Sequence, residues 1–347
     1  MTAGADGRPA IATEKLRKVY PLPGGGKRRG GPPGPPGAAA PPAPGAPPNG
    51  AEVVALEGLD LEIGAGEFFG LLGPNGAGKS TTIGILTTRV LPTGGRARVA
   101  GEDVVSRAVA VRQRIGVVPQ RPNPDRSLDV MENLVFHAAY FGVARAEATR
   151  RAKTLLGTMN IAEKARAKVD ELSGGQQQRL TIARALIHEP EVIFLDEPTV
   201  GLDPQARLAL WDILRDLHAA GRTIVMTTHY MEEADQLCDR LAIVDRGKLL
   251  ALDTPAALKE RAPGGTLVTL SLDGPASDAA PAARAIEGVD RVEAEGPTLR
   301  AYSARGGEVI PALIRAAEGA HRAVKDIQLR QPSLETLFIS LTGRTLA

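Results

Sequence analysis

One glycine-rich loop restricts what this chain can fold into. Residues 73–81 read Gly-Pro-Asn-Gly-Ala-Gly-Lys-Ser-Thr, which fits the phosphate-binding pattern of Gly, four residues, then Gly-Lys-Ser/Thr. The apolar run 68–72 before it indicates a buried parallel strand, and 81–86 has the pattern of an opening helix. This context favours an anion-binding strand–loop–helix over a glycine-rich turn without a ligand.

Each residue type in the loop suits a nucleotide phosphate. The glycines let successive backbone N–H groups point at one anion, and the helix N-terminus adds a partial positive charge. Lys79 is placed to reach the outer phosphates, and the Ser80 hydroxyl is placed to hold Mg²⁺. The predicted nucleotide-binding residues of the loop are Asn75, Gly76, Gly78, Lys79, Ser80 and Thr81.

Length and charge narrow the class of protein. The 347 residues suffice for about two domains, and a net charge of +2 argues against a nucleic-acid partner. The single cysteine, Cys238, allows no intrachain disulfide and favours a reducing compartment. No apolar run reaches the ~20 residues that span a bilayer, and the N-terminus has no signal-peptide pattern. We expect a soluble chain, so any membrane part must come from another protein.

Composition divides the chain into segments. Residues 1–20 contain a first strand, 11–20, and 21–50 are two thirds Gly and Pro, which predicts a disordered insertion. Over 51–260 short apolar strands alternate with helical stretches, an α/β pattern that a helical insertion interrupts at about 121–175. Residues 261–347 predict a strand–helix–strand–strand–helix–strand unit, a small ferredoxin-like α+β domain.

Four predicted strands of the α/β region end in chemically distinctive residues. One leads into the loop at 73, one into Gln120, one into Asp196 and Glu197, and one into His229. Ligands of open α/β sheets bind outside the carboxyl ends of the strands. We therefore expect these four sites to meet at one ligand.

A second glycine-containing stretch, Leu-Ser-Gly-Gly-Gln at 172–176, has the pattern of a helix start. Ser173 can cap the helix, and Gln176 three residues later completes a capping box. Glycines weaken a first turn unless another molecule approaches closely, and a bare helix N-terminus binds anions. Two phosphate-binding helix starts in one domain suggest a nucleotide held between two copies of the protein.

These stretches together resemble the ATP-binding-cassette (ABC) ATPases. The family's six motifs occur in order as the phosphate loop, the Q-loop Gln120, the signature 172–176, Walker B at 192–197, the D-loop 201–203 and the switch His229. The resemblance covers 11–20 and 51–260. It implies an ABC-type P-loop NTPase core with a helical insertion subdomain, binding ATP and Mg²⁺.

The resemblance also implies a role for each catalytic position. Ser80 and Asp196 would hold Mg²⁺, and Gln120 would complete the metal site and sense the γ-phosphate. Glu197 would orient or deprotonate the attacking water, and His229 would contact the γ-phosphate and steady the transition state. Lys79, which reaches the outer phosphates, is also among the implied catalytic residues.

Other implied roles concern the partner subunit and the base. Ser173, Gly175 and Gln176 would act in trans on the ATP of a head-to-tail dimer, to which the D-loop Asp203 also contributes. Tyr20 matches the family's adenine-stacking aromatic. The Gly/Pro insertion begins directly after it at Pro21, which departs from the family pattern.

Three stretches, 125–134, 227–239 and 332–338, are similar to ATPases of ABC-2, or daunorubicin-resistance, exporters. Such ATPases lie at the cytoplasmic face of the membrane and drive efflux of drugs, lipids or polysaccharides through a separate permease. The alternatives are an importer ATPase, or a soluble ABC ATPase acting on ribosomes or DNA. A single cassette, the absence of sustained heptads and one cysteine argue against the soluble class.

Overall fold

The computed structural model describes residues 9–21, 52–262, 265–303 and 305–344. It divides into two compact units. One runs to His229 and includes Val244–Leu249, and the other comprises Tyr230–Ile243 and the chain from Leu250 onward. Apart from Pro21, the predicted Gly/Pro insertion at 21–50 lies outside the described residues.

The first unit alternates strands and helices. Its elements in chain order are β1 Ile11–Pro21, β2 Glu52–Ile63, β3 Phe68–Leu72, α1 Lys79–Leu86, β4 Gly94–Val99, β5 Glu102–Asp103, α2 Ala108–Arg114, β6 Ile115–Val118, α3 Val130–Tyr140, α4 Arg145–Thr158, α5 Gly174–Leu186, β7 Val192–Asp196, α6 Pro204–Ala219 and β8 Thr223–Thr228. The elements that follow are α7 Met231–Leu237, β9 Arg240–Asp245, β10 Lys248–Asp253 and α8 Pro255–Glu260.

Four parallel strands form the centre of the first unit in the order β3-β8-β7-β6. Every residue of β3, β7 and β8 is buried, which explains why each strand has an apolar centre; the polar residues of β7 and β8 lie at the strand ends. Asp196 at the end of β7 pairs with Thr227 of β8, and Leu71 of β3 pairs with the same threonine. The carboxyl ends of the strands that carry the predicted site thus lie side by side.

A second sheet of the first unit is antiparallel, in the order β2-β1-β4-β5. The sequence predicted only β1 of this sheet. The Thr13 hydroxyl is buried and links β1 to β2, donating to the Leu59 carbonyl at 2.9 Å and accepting from the Leu61 amide at 2.8 Å. Towards its end β2 alternates exposed and buried residues, so its apolar side chains do not form the continuous run that marks a buried strand.

The helical insertion is confirmed. Helices α3 and α4 lie within the predicted insertion at about 121–175, and they pack on each other and on α5. A capping box starts α3, because Asp129 accepts from the Glu132 amide at 2.7 Å and Glu132 accepts from the Asp129 amide at 2.8 Å.

The C-terminal elements form their own sheet and core. They are β11 Thr266–Leu272, α9 Ala280–Arg284, β12 Arg291–Glu295, β13 Thr298–Ser303, α10 Ile310–Gly319, β14 Val324–Arg330 and α11 Leu334–Thr342. The sheet is antiparallel with the order β12-β13-β11-β14, and side chains such as Val268, Leu270 and Leu313 fill its core. The order of strands and helices is the predicted one.

Candidate nucleotide site

The glycine-rich loop is tightly enclosed at its end. Gly78 has a φ of +104°, and a Cβ there would stand 2.6 Å from the Ala55 carbonyl oxygen and 2.8 Å from Leu56 Cδ2. Only glycine fits this combination of backbone angle and space. The next residue, Lys79, is 4% exposed and donates to the Gly73 carbonyl at 2.6 Å and the Pro74 carbonyl at 3.2 Å. Its ammonium group therefore lies against the phosphate-binding loop, where the sequence predicted that it would reach the outer phosphates.

The Glu197 carboxylate is the point where the predicted catalytic side chains meet. Lys79 Nζ lies 3.1 Å from Glu197 Oε1, and both side chains are buried. Gln120 Nε2 donates to Glu197 Oε2 at 2.9 Å, and His229 Nδ1 lies 3.5 Å from Oε1. The four strand ends therefore converge, as their sequence positions predicted.

The Glu197 backbone turns sharply where β7 ends. Its φ is +48°, in the left-handed region that residues with a Cβ seldom adopt. The Glu197 amide donates to the Thr227 hydroxyl at 3.0 Å and contacts its carbonyl oxygen at 3.1 Å, so strand β8 holds the turn. Backbone strain of this kind often accompanies functional positions, and here it presents the carboxylate to Lys79 and Gln120.

Asp196 stands beside a hydroxyl from each neighbouring element. The Ser80 hydroxyl lies 3.3 Å from Asp196 Oδ1, and the Thr227 hydroxyl donates to the same oxygen at 2.6 Å. Two oxygen groups of the predicted Mg²⁺ set, from Ser80 and Asp196, are thus adjacent, and oxygen ligands are those that Mg²⁺ prefers. Thr227 was not among the predicted site residues, although its place two residues before His229 on a buried strand was a usable signal.

The signature residues form a separate group at the starts of α5 and α6. Ser173 accepts from the Gln176 amide at 3.3 Å and Gln176 accepts from the Ser173 amide at 3.0 Å, which confirms the capping box. A Cβ on Gly175 would lie 3.0 Å from Ala206 Cβ. Asp203 caps α6 by accepting from the Ala206 amide at 2.8 Å, so the D-loop and the signature lie together.

Tyr20 lies near the end of β1 and is 37% exposed. It pairs with Val53 of β2, and Lys18 Nζ lies 4.9 Å from its ring centroid. Ala55, two residues beyond Val53, is the residue whose carbonyl encloses Gly78. Strand β2 thus connects the position of Tyr20 to the phosphate loop.

The parallel sheet, the phosphate loop and the converging carboxylates define a P-loop ATPase. The sequence profile described as "ABC transporter" matches residues 56–200. Sequence relatives extend the match over most of the chain. The Nod factor export ATP-binding protein I of Ralstonia nicotianae is 41% identical over 298 residues, covering 85% of this chain and 91% of the relative. The linearmycin resistance ATP-binding protein LnrL of Bacillus subtilis is 37% identical, and the match covers 84% of this chain and 94% of LnrL.

This chain belongs to the ABC transporter ATP-binding proteins, and it is an ATP-binding ATPase of that family. A solved structure of a dimeric ATP-binding cassette bound to ADP and phosphate after hydrolysis is similar, with a TM-score of 0.58 and 26% identity. The structural match covers 70% of this chain and 98% of the cassette chain in that structure. No helix within the described ranges is long and apolar enough to cross a membrane.

Proposed function

We propose that this chain is the ATP-hydrolysing subunit of an ABC-2-type exporter, which drives efflux of a drug, lipid or polysaccharide through a separate permease. The observation that carries the ATPase part is the convergence of Lys79, Gln120 and His229 on the Glu197 carboxylate. The export part is supported by relatives that are named for Nod factor export and linearmycin resistance.

The loop and the residues beside it bind the nucleotide in this proposal. Backbone amides of the loop from Asn75 to Thr81 hold the phosphates, and Lys79 neutralises the outer ones. Ser80, Asp196 and Gln120 hold Mg²⁺, which when bound offsets phosphate charge. The 3.3 Å distance between the Ser80 hydroxyl and Asp196 supports this assignment. Tyr20 stacks on adenine from the end of β1, which pairs with β2 beside the phosphate loop.

Glu197 is the base in the chemical step. Its carboxylate takes a proton from the attacking water while the new oxygen–phosphorus bond forms and the bond to the β-phosphate oxygen breaks. The Lys79 ammonium that pairs with Glu197 is also the cation that the γ-phosphate needs, so a bound phosphate competes for it. His229 lies close enough to this carboxylate to contact the γ-phosphate beside it.

A second ATPase copy completes the site. Ser173, Gly175, Gln176 and Asp203 act on the nucleotide of the partner in a head-to-tail homodimer or heterodimer. Their grouping at the starts of α5 and α6 supports one shared contact surface. ATP favours the closed dimer and hydrolysis reopens it, a population shift set by the higher affinity of the closed state for ATP.

We assign the permease contact to the helical insertion and propose that the chain works at the cytoplasmic face of the membrane. On α3, Phe136 is 55% exposed and Tyr140 is 87% exposed. Phe136 also lines a cavity of about 380 Å³ with Val135, Val143 and Arg145. The rim carries Arg145, Arg166 and Glu132, and an apolar groove with a charged rim suits a short amphipathic segment of a membrane protein.

The domain limits proposed are 1–20 with 51–260 for the ATPase, 121–175 for its helical subdomain and 261–347 for the accessory domain. An importer ATPase is the nearest alternative assignment. A soluble ATPase acting on ribosomes or DNA is disfavoured by the net charge of +2.

The experiment is a pull-down of tagged Glu197→Gln from native membranes with ATP. A multispanning permease without a solute-binding protein is the expected result. A binding protein in the complex would mean an importer, and ribosomes or DNA without a membrane protein would refute the transport assignment. The control is Glu197→Gln with Lys79→Ala, which should lose the ATP-dependent part of the capture.

A further inference from the structure

Helix α5 connects two functional regions of the ATPase unit. Its N-terminus carries the signature residues Ser173 and Gln176, and Arg184 lies near its other end. The eleven residue steps from Ser173 to Arg184 correspond to roughly 16 Å of helix at 1.5 Å per residue. The helix packs on α3, α4, α6 and β6.

The Arg184 side chain holds the segment that follows Gln120. Its Nη1 donates to the Asn123 carbonyl at 2.7 Å, and its Nη2 donates to Asn123 Oδ1 at 2.5 Å. Both terminal nitrogens of the planar guanidinium thus donate to one residue, which sets the direction of the contact as well as its distance. Asn123 comes three residues after Gln120, whose amide is bonded to the Glu197 carboxylate.

The same segment is anchored beyond Asn123. The Asp125 amide donates to Asn133 Oδ1 at 2.7 Å, and Asn133 Nδ2 donates back to the Asp125 carbonyl at 2.9 Å. The Asp125 carboxylate also attracts the Arg184 charge. Residues 120–125 are therefore held by Glu197 at one end, α3 at the other and Arg184 between them.

We propose that Arg184 is a positioning residue for hydrolysis: by holding Asn123 it sets Gln120 against Glu197 and couples that placement to the orientation of α5. The proposal rests on the proposed function, since Gln120 must act in the nucleotide site. When the signature end of α5 engages the nucleotide of a second copy, Arg184 carries the Gln120 segment with the helix. Gln120 thus responds to dimer closure.

The test compares steady-state ATP hydrolysis by the full-length wild type and Arg184→Met. Methionine keeps the helix propensity and much of the stem but removes both donors. We expect kcat to fall about ten-fold, as loss of a charged hydrogen-bond pair allows. We expect KM for ATP and the affinity for a fluorescent ATP analogue to change less than about two-fold, since the phosphate loop is untouched.

Arg179→Met is the matched control on the same helix. Arg179 Nη1 is 3.5 Å from the Met159 carbonyl, away from the 120–125 segment. Its kcat should stay near that of the wild type. Arg184→Lys keeps one charged donor and should recover part of the lost kcat. If Arg184 had only a structural role, Arg184→Met would lower the melting temperature. Any substitution that restored the melting temperature would then also restore kcat.

A second variant covers the case in which Arg184→Met does not fold. Asn123→Ala removes the Oδ1 acceptor but keeps the backbone carbonyl, so we expect a smaller fall in kcat than in Arg184→Met. Combining Asn123→Ala with Arg184→Met should lower kcat no further than Arg184→Met alone. The proposal is overturned if both variants retain wild-type kcat, or if their effects simply add. If wild type itself hydrolyses no ATP, the proposed function fails rather than the role of Arg184.

Discussion

At the scale of single residues, the chemistry of the site is concentrated on the Glu197 carboxylate. The carboxylate is 6% exposed and has an ammonium, an amide and an imidazole around it. A carboxylate can stay ionised in a buried position only with such partners, because an unpaired buried charge lowers the stability of the fold. The arrangement therefore supports a positioned catalytic base rather than a surface carboxylate without a function.

Glu197→Gln should bind ATP but lower kcat about 100-fold or more, because the amide cannot accept the proton of the attacking water. With ATP the variant should accumulate as a dimer in size-exclusion chromatography. Glu191→Gln, whose side chain is 59% exposed, is the control and should leave both properties unchanged. An active and monomeric Glu197→Gln would contradict the mechanism.

Two loop glycines allow a comparison of backbone strain with steric overlap. Gly76 has a φ of +80° and open space where a Cβ would stand, whereas a Cβ on Gly78 would overlap the Ala55 carbonyl oxygen. Gly76→Ala should cost about 1–2 kcal/mol of stability through strain alone. Gly78→Ala should cost more and weaken nucleotide binding further. Chemical denaturation and titration with a fluorescent nucleotide measure the two effects, and equal losses would be inconsistent with the overlap.

At the scale of elements, the start of α5 has a structural role and a proposed functional one that can be separated. Ser173 caps α5 by accepting from the Gln176 amide. In the C-terminal unit Ser333 caps α11 in the same way, accepting from the Thr336 amide at 3.2 Å. The two serines thus differ in location but not in capping chemistry.

Ser173→Ala and Ser333→Ala should each cost about 1 kcal/mol of unfolding free energy through loss of the cap. Only Ser173→Ala should also lower ATP turnover, because its hydroxyl is proposed to meet the partner's nucleotide. Turnover and denaturant midpoints on the same preparations test this. If turnover fell equally in both variants, the signature serine would be acting only as a helix cap.

At the scale of the whole molecule, stability should depend on pH through two partly buried histidines, His137 and His188. Burial lowers the pKa of His137 to about 4, and the nearby Arg184 and His188 act in the same direction. His188, stacked on Phe141 at 3.7 Å, also has a pKa lowered by burial. Both imidazoles are therefore neutral in the folded chain at neutral pH.

As the pH falls below about 6.5, unfolded chains protonate His137 before folded ones, so the folded state loses stability progressively towards pH 4. The full loss from this group is of order 2 kcal/mol. His137→Phe keeps an aromatic ring and should flatten the pH dependence of the unfolding free energy over this range. His321→Gln, at an exposed position, is the control and should not flatten it. Identical pH profiles for wild type and His137→Phe would refute the assignment.

Much of the fold could be predicted because its signals are local. The apolar centres of β3, β7 and β8, and the cap at Ser173, depend on neighbours in sequence. The antiparallel sheet was largely missed, since β2 and β4 mix charged and apolar residues and depend on pairing with a distant β1.

The sequence by itself determined the chemistry of the site, because the residue types and their places after buried strands are encoded locally. Only the tertiary structure decided which atoms meet. Thr227 orients Asp196 and Arg184 holds Asn123 across separations of 31 and 61 residues. Such contacts depend on strand register and on how helices pack, which no local pattern specifies.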